Sequence, residues 1–250
     1  MIKLFISDLD GCIAHPFISP DWEGISRIKE LNNLSKTDST IPPLTICSGR
    51  PLPFVEAVAQ WLDVRLPMLF ESGGGMYNLQ ENVLTWSTHF DEEAKATVIE
   101  LKSWLEDNII SRYSGTIAEF TKFTDAGVIN PDNSKIILMH KDIVNHVHKN
   151  YPNFEVHNTE VSVNTILKKN NKAEGIKHLC KKLNLSTGEV AYVGDTGGDV
   201  EALKLVGKSY APINADSYVK EIAGLVTAEA TLGVLEAYED VISSNRNQKG

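Results

Sequence analysis

Four short apolar runs in this chain stop abruptly at small or acidic residues: Leu4 to Ser7 before Asp8, Leu44 to Cys47 before Ser48-Gly49, Met68 to Phe70 before Glu71-Ser72-Gly73, and Val190 to Val193 before Gly194-Asp195. Near-continuous apolar strands belong to a parallel sheet covered on both faces. Helical patterns lie between them. Ser19-Pro20 reads as an N-cap and first helical position, followed by Trp22, Ile25, Ile28 and Leu31 at a spacing of three. Val55, Val58 and Leu62 make the stripe of a second helix, and Ile176, Leu179, Cys180 and Leu183 that of a third; a fourth runs from about Val200 to Val206. Alternating strand and helix predict an α/β class. Trp22, Trp61 and Trp104 fall on helical apolar stripes and are expected in the core.

The rhythm breaks between residues 81 and 171. This stretch predicts a helix around Glu92 to Leu105, a strand at Lys135 to His140, a helix from about Ile143 to Lys149, and strands near Phe154 to Val156 and Val161 to Leu167 joined by His157-Asn158-Thr159-Glu160. That vocabulary is mostly antiparallel. The expected organisation is a core built from residues 1–80 and 172–250 with an α+β insert at 81–171. Residues 243–250 read as a polar tail.

Composition removes several classes of function. With 24 Lys plus Arg against 33 Asp plus Glu, the formal net charge is -9, so a broad cationic nucleic-acid surface is not expected. No apolar run approaches the ~18 residues of a membrane helix, and the chain opens directly on Ile2-Lys3-Leu4-Phe5-Ile6, so neither signal peptide nor membrane anchor is expected. Cys12, Cys47 and Cys180 are odd in number and form no CxxC pair, which suits a reduced, cytoplasmic protein. Whether the chain is a monomer or a homodimer stays open.

Ligands of a parallel α/β sheet bind beyond the carboxyl ends of its strands, and that is where the chemical side chains cluster. Asp8 and Asp10 follow the first run and point the same way along an extended segment. Ser48, Gly49 and Arg50 follow the second. Asp195 and Asp199 follow another, and Lys172 begins the helix before it. Each has a plain structural reading: Asp8-Leu9-Asp10-Gly11 as a turn, Ser48 as a helix cap, Asp195 and Asp199 as loop acids or caps, Lys172 as a solvated lysine. Together they suit the holding of a divalent cation and a phosphoryl group.

These motifs, standing as SDLDGC, TICSGRP, the NNKAEG around Lys172 and VGDTGGDVEAL, resemble those of the haloacid dehalogenase superfamily of phosphohydrolases. The Cof-like sugar phosphatases, which carry a large α+β cap between the second and third motifs, are the most similar subgroup. The later Tyr210-Ala211-Pro212-Ile213-Asn214-Ala215 and Leu225-Val226-Thr227 resemble the family's ending. The resemblance implies a Rossmann-like core and an inserted cap that selects the substrate. It implies a Mg²⁺-dependent phosphatase acting on a small phosphorylated metabolite, most naturally a sugar phosphate. Asp8 would be the nucleophile, Asp10 the general acid and base, Ser48 a phosphoryl hydrogen-bond donor and Lys172 the charge-neutralising cation. Asp8, Asp10, Asp195 and Asp199 would serve the metal, Asp199 directly or through a water. Gly11, Ser48, Gly49, Arg50, Lys172 and Asn214 would line the phosphate site. Departures from the family pattern are Gly198 for a common Asn, Ala173 for Gly, Ser72-Gly73 for Asn-Gly and Cys12 for Thr. Alternatives are a phosphoglycolate-type small-acid phosphatase, a phosphomutase that returns the phosphoryl group to its substrate, and a phospho-accepting signalling domain; motif order and the insert argue against the last.

Overall fold

Leu4, Phe5 and Ile6 are fully buried, and as β1 (Leu4–Ser7) they run through the interior of a parallel sheet. The computed structural model describes residues 1–16 and 18–249, which divide into two compact units, Met1–Thr85 with Lys172–Gly250, and Trp86–Asn171. After β1 the first unit continues through α1 (Trp22–Leu34), β2 (Leu44–Ile46), α2 (Leu52–Trp61), β3 (Met68–Phe70) and β4 (Gly75–Asn78), and the chain leaves it along β5 (Val83–Trp86). The second unit holds α3 (Glu92–Leu105), β6 (Ile117–Ala118), β7 (Asp125–Ile129), α4 (Asn133–Asn150), β8 (Phe154–Asn158) and β9 (Ser162–Leu167). The first unit resumes with α5 (Lys172–Leu183), β10 (Val190–Val193), α6 (Val200–Leu205), β11 (Lys208–Ala211), α7 (Ser217–Lys220), β12 (Gly224–Leu225) and α8 (Ala230–Lys249).

The first unit is an α/β fold whose five-stranded sheet has the order β12-β11-β10-β1-β2 with every pairing parallel. Ser7 lies beside Val193 on one side and Ile46 on the other, so the segments after β1, β2 and β10 emerge together at one sheet edge. Both faces are covered. Ile176, Leu179 and Cys180 of α5 pack with Leu4, Ile6 and Tyr192, while Phe5 stacks on Tyr238 of α8 at 4.5 Å between ring centroids. Each Leu or Ile buried this way contributes roughly 1.5–3 kcal/mol. The second unit has a four-stranded antiparallel sheet, β6-β7-β9-β8, whose Ala126, Val128 and Val163 pack with Val98 and Leu101 of α3 and Ile136, Met139 and Ile143 of α4.

Four local expectations change. Lys135 to His140 is helical, not extended: Asp132 caps α4 by accepting from Ser134 N–H, and Ile136, Met139, Ile143 and Val147 bury one helical stripe. The first helix begins at Trp22 because Asp21, not Ser19, accepts from the amides of Glu23 and Gly24, both at 3.1 Å. Residues 243–249 extend α8, where Asn245 is buried and bonds both backbone groups of Ile2 at 2.8 Å. Trp22 and Trp61 are half exposed and meet each other edge to face at 5.1 Å instead of entering the core.

Candidate active site

The turn after β1 is set by Gly11, whose φ of 74° lies in the left-handed region. Leu9 C=O accepts from the amides of both Cys12 and Ala14, and Asp8 N–H donates to Val193 C=O at 3.0 Å, tying the turn to β10. A Cβ on Gly11 would stand 1.9 Å from Asp195 Oδ2, so only glycine leaves room for that carboxylate. Asn214 supports the same turn: its Nδ2 donates to Gly11 C=O at 2.8 Å and its Oδ1 accepts from Ala230 N–H at 2.9 Å. Its amide thus holds two backbone groups of the scaffold and keeps a second Nδ2 hydrogen.

Asp8, Lys172, Asp195 and Asp199 converge, each less than a tenth exposed. Lys172 Nζ sits 2.8 Å from Asp8 Oδ2 and 2.6 Å from Asp199 Oδ1. Asp199 is heavily tied: Oδ1 also accepts from Tyr192 OH at 2.5 Å, and Oδ2 accepts from the amides of Asp195 and Thr196, both at 3.1 Å. These bonds and the lysine charge outweigh its burial and hold its carboxyl below the usual range. Asp8 and Asp195 go the other way. Burial, reinforced by their mutual repulsion and by Asp199, pushes Asp195 up, and burial pushes Asp8 up in spite of Lys172. Lys172 is raised although its burial acts the other way, because Asp199 and Asp8 hold the proton on.

Three carboxylates therefore face one ammonium in a nearly dry pocket. Asp8, Asp195 and Asp199 each offer an oxygen within 4.8 Å of the others, and Asp195 Oδ1 is buried without a hydrogen-bond partner among the described residues. A hard divalent cation fits this donor set: it would take the orphaned oxygen and offset the surplus charge. Asp10 stands outside the group. Its carboxylate forms a two-pronged ion pair with Arg50, Nε to Oδ2 at 2.6 Å and Nη2 to Oδ1 at 2.9 Å.

Ser48 is buried two residues beyond the end of β2. Its amide donates to Leu69 C=O at 3.1 Å, and its Oγ accepts from Arg50 N–H at 3.2 Å, which leaves its own proton to donate elsewhere. Gly49 is backed by Ser72, whose Oγ would lie 3.3 Å from a Cβ there. Sequence reasoning missed Tyr192, whose one visible signal was a hydroxyl in an otherwise aliphatic strand. It also missed the fastening of Ser48 and Arg50 by the backbone of Ser72 and Glu71.

A family model of haloacid dehalogenase-like hydrolases matches residues 106–237, more than half of the chain. The chain belongs to the haloacid dehalogenase-like hydrolases. Among relatives of this hydrolase is a phosphoglycolate phosphatase of Methanococcoides burtonii, 25% identical over 252 residues and covering 98% of each chain. Solved structures repeat the fold. A protein of Thermoplasma acidophilum superposes with a TM-score of 0.77 at 15% identity, covering 96% of this chain and 98% of its own. The sucrose-phosphatase of Synechocystis sp., solved with sucrose and phosphate, reaches 0.70 at 12% identity over 96% of the hydrolase and 98% of its own length.

Proposed function

We propose that this hydrolase is a Mg²⁺-dependent phosphatase that cleaves a small phosphomonoester through an aspartyl phosphate on Asp8. The observation that carries the reading is the convergence of Asp8, Asp195 and Asp199 on the single ammonium of Lys172.

An anionic nucleophile approaches a phosphate ester only where charge on the transferring oxygens is offset. Lys172 supplies one positive charge beside Asp8. Asp8 and Asp195, with Asp199 behind them, would hold Mg²⁺, which when bound supplies the further charge neutralisation. Lys172 engages Oδ2 of Asp8, which leaves Oδ1 to attack phosphorus. Ser48 donates its free proton to a phosphoryl oxygen. Asp10 gives a proton to the leaving oxygen, then takes one from the water that cleaves the aspartyl phosphate. Asp199, already saturated with hydrogen bonds, fixes Lys172 and the Asp195-Thr196 backbone.

A sugar phosphate is the first substrate class, in line with the motif resemblance and with a fold shared by a sucrose-phosphatase. A second reading is phosphoglycolate, favoured by the full-length similarity to the Methanococcoides burtonii relative. Release of inorganic phosphate from a panel of sugar phosphates and phosphoglycolate, with Mg²⁺ and with a chelator, tests both. Catalytic, Mg²⁺-requiring release is expected from at least one ester. Phosphoryl return to a second hydroxyl without free phosphate would point to a mutase, and release from no ester would remove the reading.

A further inference from the structure

The guanidinium of Arg50 grips Asp10 with the planar fork that matches both carboxylate oxygens, at 2.6 and 2.9 Å. It also lies over the ring of Phe54, 4.9 Å from the centroid. The backbone beneath it is fastened: Arg50 N–H donates to Ser48 Oγ at 3.2 Å, and Arg50 C=O accepts from Glu71 N–H at 3.0 Å. Glu71 and Ser72 hold φ values of 48° and 56°, a left-handed conformation unfavourable for both residue types. Ser72 N–H in turn donates to Ser48 C=O at 2.9 Å. A strained turn thus secures the loop that carries Arg50, and Arg50 restrains Asp10 at both oxygens.

We propose that Arg50 is a positioning residue for Asp10, acting through that carboxyl group and not as a ligand of the transferred phosphoryl group. The proposal rests on the phosphatase reading. Arg50 uses one lone pair on each Asp10 oxygen and leaves another on each to face the reacting groups. In the first step the Asp10 O–H gives its proton to the ester oxygen. The P–O bond breaks with its electron pair moving to that oxygen as Asp8 bonds phosphorus. In the second step a water oxygen bonds phosphorus, its proton passes to Asp10, and the Asp8–phosphorus link breaks. A displacement of about 1 Å in a group with this task costs on the order of a hundredfold in rate.

The leaving group separates the two roles of Arg50. An alkyl phosphate needs its departing oxygen protonated, whereas p-nitrophenyl phosphate releases a weakly basic phenolate unaided. First-turnover rates on both esters, with inhibition by inorganic phosphate, are measured for the full-length parent, Arg50→Gln, Arg50→Lys, Asp10→Asn and the Arg50→Gln/Asp10→Asn double variant. Arg50→Gln is expected to slow the first turnover of the alkyl ester by about a hundredfold and that of the aryl ester by roughly threefold or less. A burst of p-nitrophenolate then precedes slow turnover. Phosphate inhibition holds, the loss nearly vanishes in the Asp10→Asn background, and Arg50→Lys, which keeps charge without the fork, follows Arg50→Gln. The lysine variant carries the comparison should the glutamine variant not fold. Equal slowing on both esters with weakened phosphate inhibition would overturn the proposal, as would fully additive losses in the double variant or no loss at all. A parent that releases phosphate from no ester, those of the sugar phosphate and phosphoglycolate panel included, removes the phosphatase reading itself, and the proposal with it.

Discussion

Lys172 and Asp199 form a buried ion pair at 2.6 Å, and the same ammonium reaches Asp8 at 2.8 Å. Asp199 has Tyr192 and the amides of Asp195 and Thr196 as further partners. Lys172 is therefore anchored by a saturated carboxylate and lends its charge to Asp8, which lacks those bonds. Removing one partner of a buried pair leaves the other uncompensated. Lys172→Met is expected to lower unfolding free energy by about 3–5 kcal/mol in urea titrations at neutral pH. A loss no larger than a surface lysine gives would mean that the pocket is wetter than its burial indicates.

The surplus of acid makes cation binding a stability effect. At a hundredfold excess over its dissociation constant, Mg²⁺ adds about 2.7 kcal/mol to the folded state. Thermal unfolding should therefore shift upward with Mg²⁺ in the parent, and Asp195→Asn should shrink that shift because it removes the carboxylate whose Oδ1 has no hydrogen-bond partner among the described residues. Equal shifts in the two proteins would place the cation elsewhere.

Gly11 is predicted to be intolerant of a methyl group. Gly11→Ala places a side chain at φ 74° and 1.9 Å from Asp195 Oδ2. The backbone cost alone is roughly 1–2 kcal/mol, and the displaced Asp195 should weaken Mg²⁺ binding further. Calorimetric titration of Mg²⁺ into the variant checks this; parent-like affinity would show that Asp195 does not hold the ion.

One acid-sensitive contact lies away from the site. The Glu189 carboxyl is held down at about 2 by a hydrogen bond from Lys3, 2.6 Å away, and by the amide and hydroxyl of Ser186. A depressed carboxyl stabilises the fold above its unfolded value near 4.5 and loses that contribution as pH falls toward 2. Glu189→Gln should thus lower the melting temperature slightly at pH 6 and converge with the parent at the acid end. Parallel melting curves across that range would contradict the assignment.

The acids and Lys172 were legible because each follows an apolar run or opens a helix, and the parallel register brings those ends together. The pairing of Arg50 with Asp10 was not, since it depends on a side-chain direction set by the Glu71-Ser72 turn and no local pattern announces positive φ at those residue types. Tyr192 lies inside the apolar run from Val190 to Val193, and no local pattern shows that its hydroxyl reaches Asp199. Lys135 to His140 read as a strand because Ile136-Ile137-Leu138-Met139 is a continuous apolar run. Only Ile136 and Met139 of those four are buried, on a stripe that continues to Ile143 and Val147, while Ile137 and Leu138 are exposed. The polar composition after Ser243 hid a helix that one buried residue, Asn245, ties to Ile2 at the start of the chain.

Phosphorylation of Asp8 is tested most directly by mass spectrometry of acid-quenched enzyme. Asp10→Asn enzyme mixed with Mg²⁺ and p-nitrophenyl phosphate should accumulate a phosphoryl adduct on the peptide that contains Asp8, because the second step lacks its base while the first proceeds. Asp8→Asn should give no adduct and no turnover while melting like the parent. Turnover by Asp8→Asn within about tenfold of the parent, or an adduct on any other residue, would contradict the account.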